Sequence, residues 1–136
     1  GNVYQAGTLS GNPVAMAAGL AQLHYLNEHP EVYTHLNALG EKLYGGMEKM
    51  CEELQLPYQV NHVGSLGSLF FTDQPVVDYT SAKTSDTKKF AEYFRYMLGN
   101  GVYIASSQFE AMFISDAHTD EEIQHTLNIM HNYFEK

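Results

Sequence analysis

Residues 58–72 read YQVNHVGSLGSLFFT. Apolar and polar positions alternate on either side of Gly64 and Gly67, the pattern of half-buried strands joined by a glycine turn. Two short strands are expected, Tyr58–His62 and Ser68–Thr72. A lone hairpin is marginal in water and needs a second layer over its apolar face. The sequence on both sides of the hairpin offers that layer as helices.

Upstream, Asn12-Pro13 is a helix start. Asn12 can cap free backbone N–H groups, and Pro13 suits the first helical position. The helix that follows carries Val14, Met16, Ala17, Ala18, Leu20, Ala21 and Leu23. It is apolar on nearly every side, which predicts that it is largely buried. Pro30 opens a second helix, expected to run to about Leu54. Its stripe is Val32, Leu36, Leu39, Leu43, Met47, Met50 and Leu54, at steps of three and four. Gly40, Gly45 and Gly46 interrupt it, each weakening a helix by roughly 1 kcal/mol relative to Ala.

Downstream, residues 73–85 are polar and read as a mobile loop. Asp86 caps a third helix with Phe90, Tyr93, Phe94, Met97 and Leu98 on one face, and Gly99 and Gly101 end it. Val102–Ala105 and Met112–Ser115 are expected strands, separated by the polar run Ser106–Ala111. Thr119 and Glu122 form a capping box for a last helix carrying Ile123, Leu127, Met130 and Phe134. The predicted fold class is α+β: a small antiparallel or mixed sheet of about three to four strands, covered on one face by helices. Residues 1–136 read as one domain, with a loop over 1–12, helices over 13–54 and an α+β sheet region over 58–136.

Composition narrows the function. The chain has 136 residues, enough to bury a core without disulfide or metal staples. Hydrophobic residues make up 44% and charged residues 17%, a globular rather than disordered balance. Its net charge of -9 argues against nucleic-acid and anionic-membrane partners, which need clustered Lys and Arg. Cys51 stands alone, so neither an intramolecular disulfide nor a cysteine zinc site can form. The apolar run Val14–Leu23 is far short of a membrane span, and no signal-peptide pattern opens the chain. A cytoplasmic location is the expectation. The opening at Gly1-Asn2 reads as part of a longer protein, with a small protein whose tag or start residue has been removed as the alternative.

Two places could carry chemistry. The loop Gly7-Thr8-Leu9-Ser10-Gly11-Asn12-Pro13 combines two glycines, two hydroxyls and a following helix N-terminus. Phosphates bind in such places, although an ordinary capped loop has the same composition. The second is Ser106-Ser107-Gln108-Phe109-Glu110, a polar run with a carboxylate between apolar strands. A buried, unpaired Glu is costly, so a partner or a function is expected there, with a solvent-facing loop as the alternative. The seven histidines show no metal-ligand spacing. Asp116 and His118 lie near the Glu110 run without a Ser-His-Asp pattern. Cys51 reads as packing. No lysine sits at an apolar strand end of the kind that supports Schiff-base chemistry.

The run from Val3 to Gly19, VYQAGTLSGNPVAMAAG, resembles the glutamate-1-semialdehyde 2,1-aminomutase family of pyridoxal-phosphate (PLP) enzymes. The resemblance continues at Val60–Ser65, Phe70–Asp73 and Gly101–Ala105, and ends at Ser107–Ala111 and Ala117–Thr119. It is collinear over essentially the whole chain. It implies the C-terminal small domain of a class III, fold-type I enzyme that converts glutamate 1-semialdehyde to 5-aminolevulinate on the way to tetrapyrroles. It implies a homodimer in which Gly7 and Thr8 reach the cofactor phosphate across the interface. It makes Glu110 the active-site glutamate, with Ser107 and Gln108 as lesser neighbours. The Schiff-base lysine would lie upstream, so the chain alone is expected to be inactive and to hold no cofactor. The apolar face of the Val14–Leu23 helix would meet the upstream domain. Ser106, Met112 and Asp116 depart from the family pattern. Another class III aminotransferase and a stand-alone α+β dimerisation or binding module are the alternatives.

Overall fold

The computed structural model describes residues 3–4 and 6–135. Gly1-Asn2, Gln5 of the recognised run and Lys136 lie outside the described residues. The chain divides into two compact units, residues 1–34 and 35–136.

In the first unit, α1 spans Pro13–Glu28. The Asn12 side chain accepts from Val14 N–H at 3.0 Å and from Ala15 N–H at 3.1 Å, the expected cap. No residue of α1 is buried, and Leu23 is 68% exposed. This corrects the expectation of a largely buried helix. An all-round apolar sequence makes a helix suited to burial, but burial also needs a facing layer.

The long second helix is present with a break in the middle. α2 spans Glu31–Gly40, Glu41–Gly45 forms a π turn, and α3 spans Gly46–Glu53. A π turn inserts one residue into the helical period. Here it turns two neighbours, Leu43 and Tyr44, into the core together. The flanking glycines keep ordinary helical angles, Gly40 at φ -62° and Gly46 at φ -63°; a Cβ on residue 46 would lie 2.8 Å from Leu127, a close approach that a count of helix propensity does not register.

The hairpin is β1 (Gln59–Val63) against β2 (Leu66–Phe70), with His62 opposite Gly67 and Val63 opposite Leu66. The tight turn is Gly64-Ser65, and Gly64 has φ +53°. β2 therefore starts earlier than expected and Gly67 lies inside it, under the Tyr44 ring. A Cβ there would come within 2.5 Å of that ring. A third antiparallel strand, β3 (Met112–Phe113), completes the order β1-β2-β3.

The fold class is the α+β arrangement expected, with three antiparallel strands. Two details differ. Val102–Ala105 does not pair as a strand; Val102 N–H instead donates to Met97 C=O at 2.9 Å, closing off the preceding helix. The polar stretch 73–85 contains a short helix, α4 (Tyr79–Ala82), with a capping box between Asp78 and Ser81. α5 (Thr87–Gly99) is capped by Asp86, and α6 (Asp120–Phe134) by Thr119 and Glu122, both as read from sequence.

The core joins Leu39, Tyr44 and Met47 to Leu69 and Phe71 of the sheet region, Tyr93 and Met97 of α5, and Ile123 and Met130 of α6. Tyr93 stacks on Phe134 at 5.6 Å between centroids. Its hydroxyl is buried and has no hydrogen-bond partner among the described residues. Burial pushes the phenol well above its ordinary pKa. An unpaired buried hydroxyl costs about 1 kcal/mol or more. Tyr93→Phe is therefore expected to stabilise the protein by about 1 kcal/mol, a rise of about 4 °C in Tm. Thermal unfolding checks it; an unchanged or lower Tm would show that the hydroxyl has a partner in solution. No helix among the described residues is long and apolar enough to cross a membrane.

Candidate functional site

The Gly7–Asn12 loop makes two overlapping turns. Ser10 N–H donates to Gly7 C=O at 3.1 Å, and Asn12 N–H to Leu9 C=O at 3.0 Å. A Cβ on residue 7 would meet the exposed Ser10 hydroxyl, a side-chain group that can swing aside, so glycine keeps the turn uncrowded without being required by it. The sequence suggested a helix N-terminus as the anion site. In the structure Asn12 already occupies the Val14 and Ala15 N–H groups. The free donors lie one turn earlier: the Thr8 hydroxyl and the Thr8 and Leu9 N–H groups have no hydrogen bond among the described residues. This exposed set, with no side chain at position 7, fits a phosphate.

In the second unit, residues 106–111 leave the sheet as a loop. Glu110 is exposed, which corrects the expectation of an acid buried among strands and supports the solvent-facing alternative. The loop is built on Ser107. Its carbonyl accepts Glu110 N–H at 3.1 Å, and its hydroxyl accepts Phe109 N–H at 3.2 Å. The turn sends Glu110 to a cavity of about 340 Å³. Tyr44, Met112, Ile114, Ile123 and Met130 supply apolar wall; Ser106, His118 and Glu122 supply polar groups beside Glu110. Among the described residues no lysine or arginine lines it.

Glu122 accepts hydrogen bonds from Thr119 N–H at 2.8 Å and from the Thr119 hydroxyl at 3.0 Å. These bonds, with nearby His118, hold its carboxyl below the usual range, so it stays ionised in mild acid. His118 Nδ1 lies 3.0 Å from Ser115 N–H and 3.1 Å from Ser115 Oγ. Asp116 does not complete a triad; it pairs with His35 at 2.8 Å. Lys42 binds Asp120 at 2.6 Å and holds that carboxyl low. These two pairs tie the approach to α6 back to α2 and the π turn.

The residues outside the family pattern fall in three settings. Ser106 lines the cavity, Met112 pairs with Gly67 in the sheet, and Asp116 faces His35. Burial and the Glu48 charge push the Cys51 thiol up to about 11, which leaves it protonated and a poor nucleophile at neutral pH. Among the described residues no group of three or more His, Cys, Asp and Glu is placed to hold a metal.

Sequence reasoning gave little weight to Gln108 and none to the cavity roles of His118 and Glu122. Gln108 is only 3% exposed. Its Oε1 accepts Phe71 N–H at 3.1 Å and its Nε2 donates to Leu69 C=O at 2.8 Å. A register count could have flagged it. Leu66 lies opposite Phe113 and Gly67 opposite Met112, so an extended β3 would set residue 108 opposite Phe71.

The profile of class-III aminotransferases matches residues 1–134. Glutamate-1-semialdehyde 2,1-aminomutase 2 of Lachnoclostridium phytofermentans is 58% identical over 133 residues, covering 98% of this chain and 31% of that protein. The chain thus spans about a third of the length of the curated relatives it matches. Among solved structures, a β-phenylalanine aminotransferase from Variovorax paradoxus superposes with a TM-score of 0.80 at 26% identity, covering 98% of this chain and 30% of that one. A transaminase with PLP bound superposes at 0.74 with 27% identity, covering 98% and 29%.

Proposed function

This chain belongs to the class-III aminotransferase family, and we propose that it is the C-terminal part of a glutamate-1-semialdehyde 2,1-aminomutase. The observation that carries the proposal is the 58% identity to an aminomutase over 98% of the chain. The reaction moves an amino group between neighbouring carbons, turning glutamate 1-semialdehyde into 5-aminolevulinate, a tetrapyrrole precursor. PLP, when bound, supplies the electron sink.

The residues of this chain take defined parts. The Thr8 hydroxyl and the neighbouring N–H groups hold the cofactor phosphate across a homodimer interface, and Gly7 keeps the approach open. Glu110 presents a negative charge at a cavity lined, among the described residues, by no lysine or arginine. That charge attracts an ammonium group and repels a carboxylate, the preference a diamine intermediate requires. Arg95 is exposed on α5 and does not line the cavity, so it does not serve as a carboxylate clamp there. The Schiff-base lysine comes from the rest of the protein. The chain alone is accordingly inactive, and the whole enzyme is a cytoplasmic homodimer.

The full-length protein, purified with PLP, is expected to form 5-aminolevulinate from glutamate 1-semialdehyde with no amino donor added. The isolated 136-residue chain is expected to form none. A full-length protein that transaminates only with an external donor would instead be another class-III aminotransferase.

A further inference from the structure

We infer that Gln108 is the positioning residue of the Glu110 loop, its side-chain amide standing in for the missing continuation of β3. The inference rests on the reading of Glu110 given under the proposed function. β3 stops at Met112, and residues 106–111 leave the ladder. Their departure would strand the Phe71 N–H and the Leu69 C=O at the open edge of β2. Gln108 answers both at once, accepting from Phe71 at 3.1 Å and donating to Leu69 at 2.8 Å.

In an extended β3 these two groups would meet the carbonyl of residue 108 and the N–H of residue 110; the side-chain amide supplies the same acceptor and donor. It lets the backbone turn away from the sheet without leaving buried polar groups unpaired. The turn on Ser107 then fixes the geometry from Gln108 to Glu110, two residues along. The Glu110 carbonyl also lies 3.5 Å from Ser68 Oγ of β2. Gln108 does not line the cavity of about 340 Å³ that Glu110 faces, so it acts through Glu110. The chemistry selects glutamine. Glutamate cannot donate to Leu69, methionine can do neither job, and asparagine is one methylene too short.

The test is a double-mutant cycle on kcat in the full-length PLP-loaded protein, using Gln108→Met, Glu110→Gln and the pair. Glu110→Gln is expected to lower kcat by about 100-fold, within the range for a group that stabilises charge in the reaction. Gln108→Met is expected to lower kcat by about 10-fold or more, with KM little changed, a part of the Glu110 effect. The double variant should be no slower than Glu110→Gln alone, because Gln108 works only through that carboxylate. Losses that multiply, or a Gln108→Met enzyme with wild-type kcat, overturn the inference.

Should Gln108→Met fail to fold, hydrogen exchange of the side-chain amide in 15N-glutamine-labelled wild-type protein decides. Protection of the Gln108 amide beyond that of exposed Gln22 supports the clamp, and free exchange overturns it. A wild-type protein without aminomutase activity sinks the proposed function and Gln108's part in it, while the exchange result still reports on the clamp.

Discussion

Replacing Glu110 with glutamine in the full-length enzyme is expected to cut kcat by about 100-fold or more while leaving Tm nearly unchanged. The side chain is exposed, and its own loop hydrogen bonds come from backbone atoms. Surface substitutions of this kind usually shift stability by no more than about 0.5 kcal/mol. Glutamine keeps the size of the group and removes the charge, so the loss would report charge alone. A single group that stabilises charge in the reaction contributes about 100- to 1,000-fold. Glu110→Arg carries the argument further. On the proposed function it turns a site that favours amino groups into one that favours carboxylates, so aminomutase turnover should fall further and a carboxylate-bearing inhibitor should bind more tightly. Steady-state kinetics with a thermal melt checks both variants. A Glu110→Gln enzyme with wild-type kcat removes Glu110 from the reaction.

What could be read from the sequence was what is encoded locally. The stripes of α5 and α6, the caps at Asn12, Asp86 and Thr119, and the hairpin at Gly64 each depend on residues within a few positions of one another. What could not be read depends on a partner far along the chain or absent from it. α1 has the composition of a buried helix, yet its exposure is decided by what faces it. Val102–Ala105 has strand composition, but a strand also needs an open edge to pair with, and its first N–H is spent on Met97. Glu110 was singled out from its unusual setting in an apolar context, and the structure differs in leaving it exposed. Gln108 drew little weight because its partners, Leu69 and Phe71, are 39 and 37 positions away.

Gly40 shows the same division in energetic form, with the two levels predicting opposite signs. Judged locally, Gly40→Ala should stabilise the end of α2 by about 1 kcal/mol. In the folded chain a Cβ at residue 40 would collide with the Gly64 carbonyl oxygen, and would lie 2.7 Å from its carbon and 3.2 Å from Ser65 Cα. The obstacle is backbone, which cannot swing aside as a side chain could. It is also a two-residue turn held on both sides by the β1–β2 register, and the Ser65 carbonyl accepts the Ile114 N–H at 2.9 Å. Forcing an extra methyl into a packed contact costs about 1–3 kcal/mol, and more where the surroundings cannot shift. The collision outweighs the propensity gain, and a net loss of about 2 kcal/mol is expected. Gly99→Ala is the matched control: it sits in α5 with nothing within 4 Å of the added Cβ. There only the propensity gain remains, and stability should rise by about 0.5–1 kcal/mol. Urea midpoints of the two variants should therefore move in opposite directions. If both rise, α2 and the hairpin turn do not approach closely in solution. The glycines of the long helix would then be what the sequence alone suggests, points of weakness rather than points of contact.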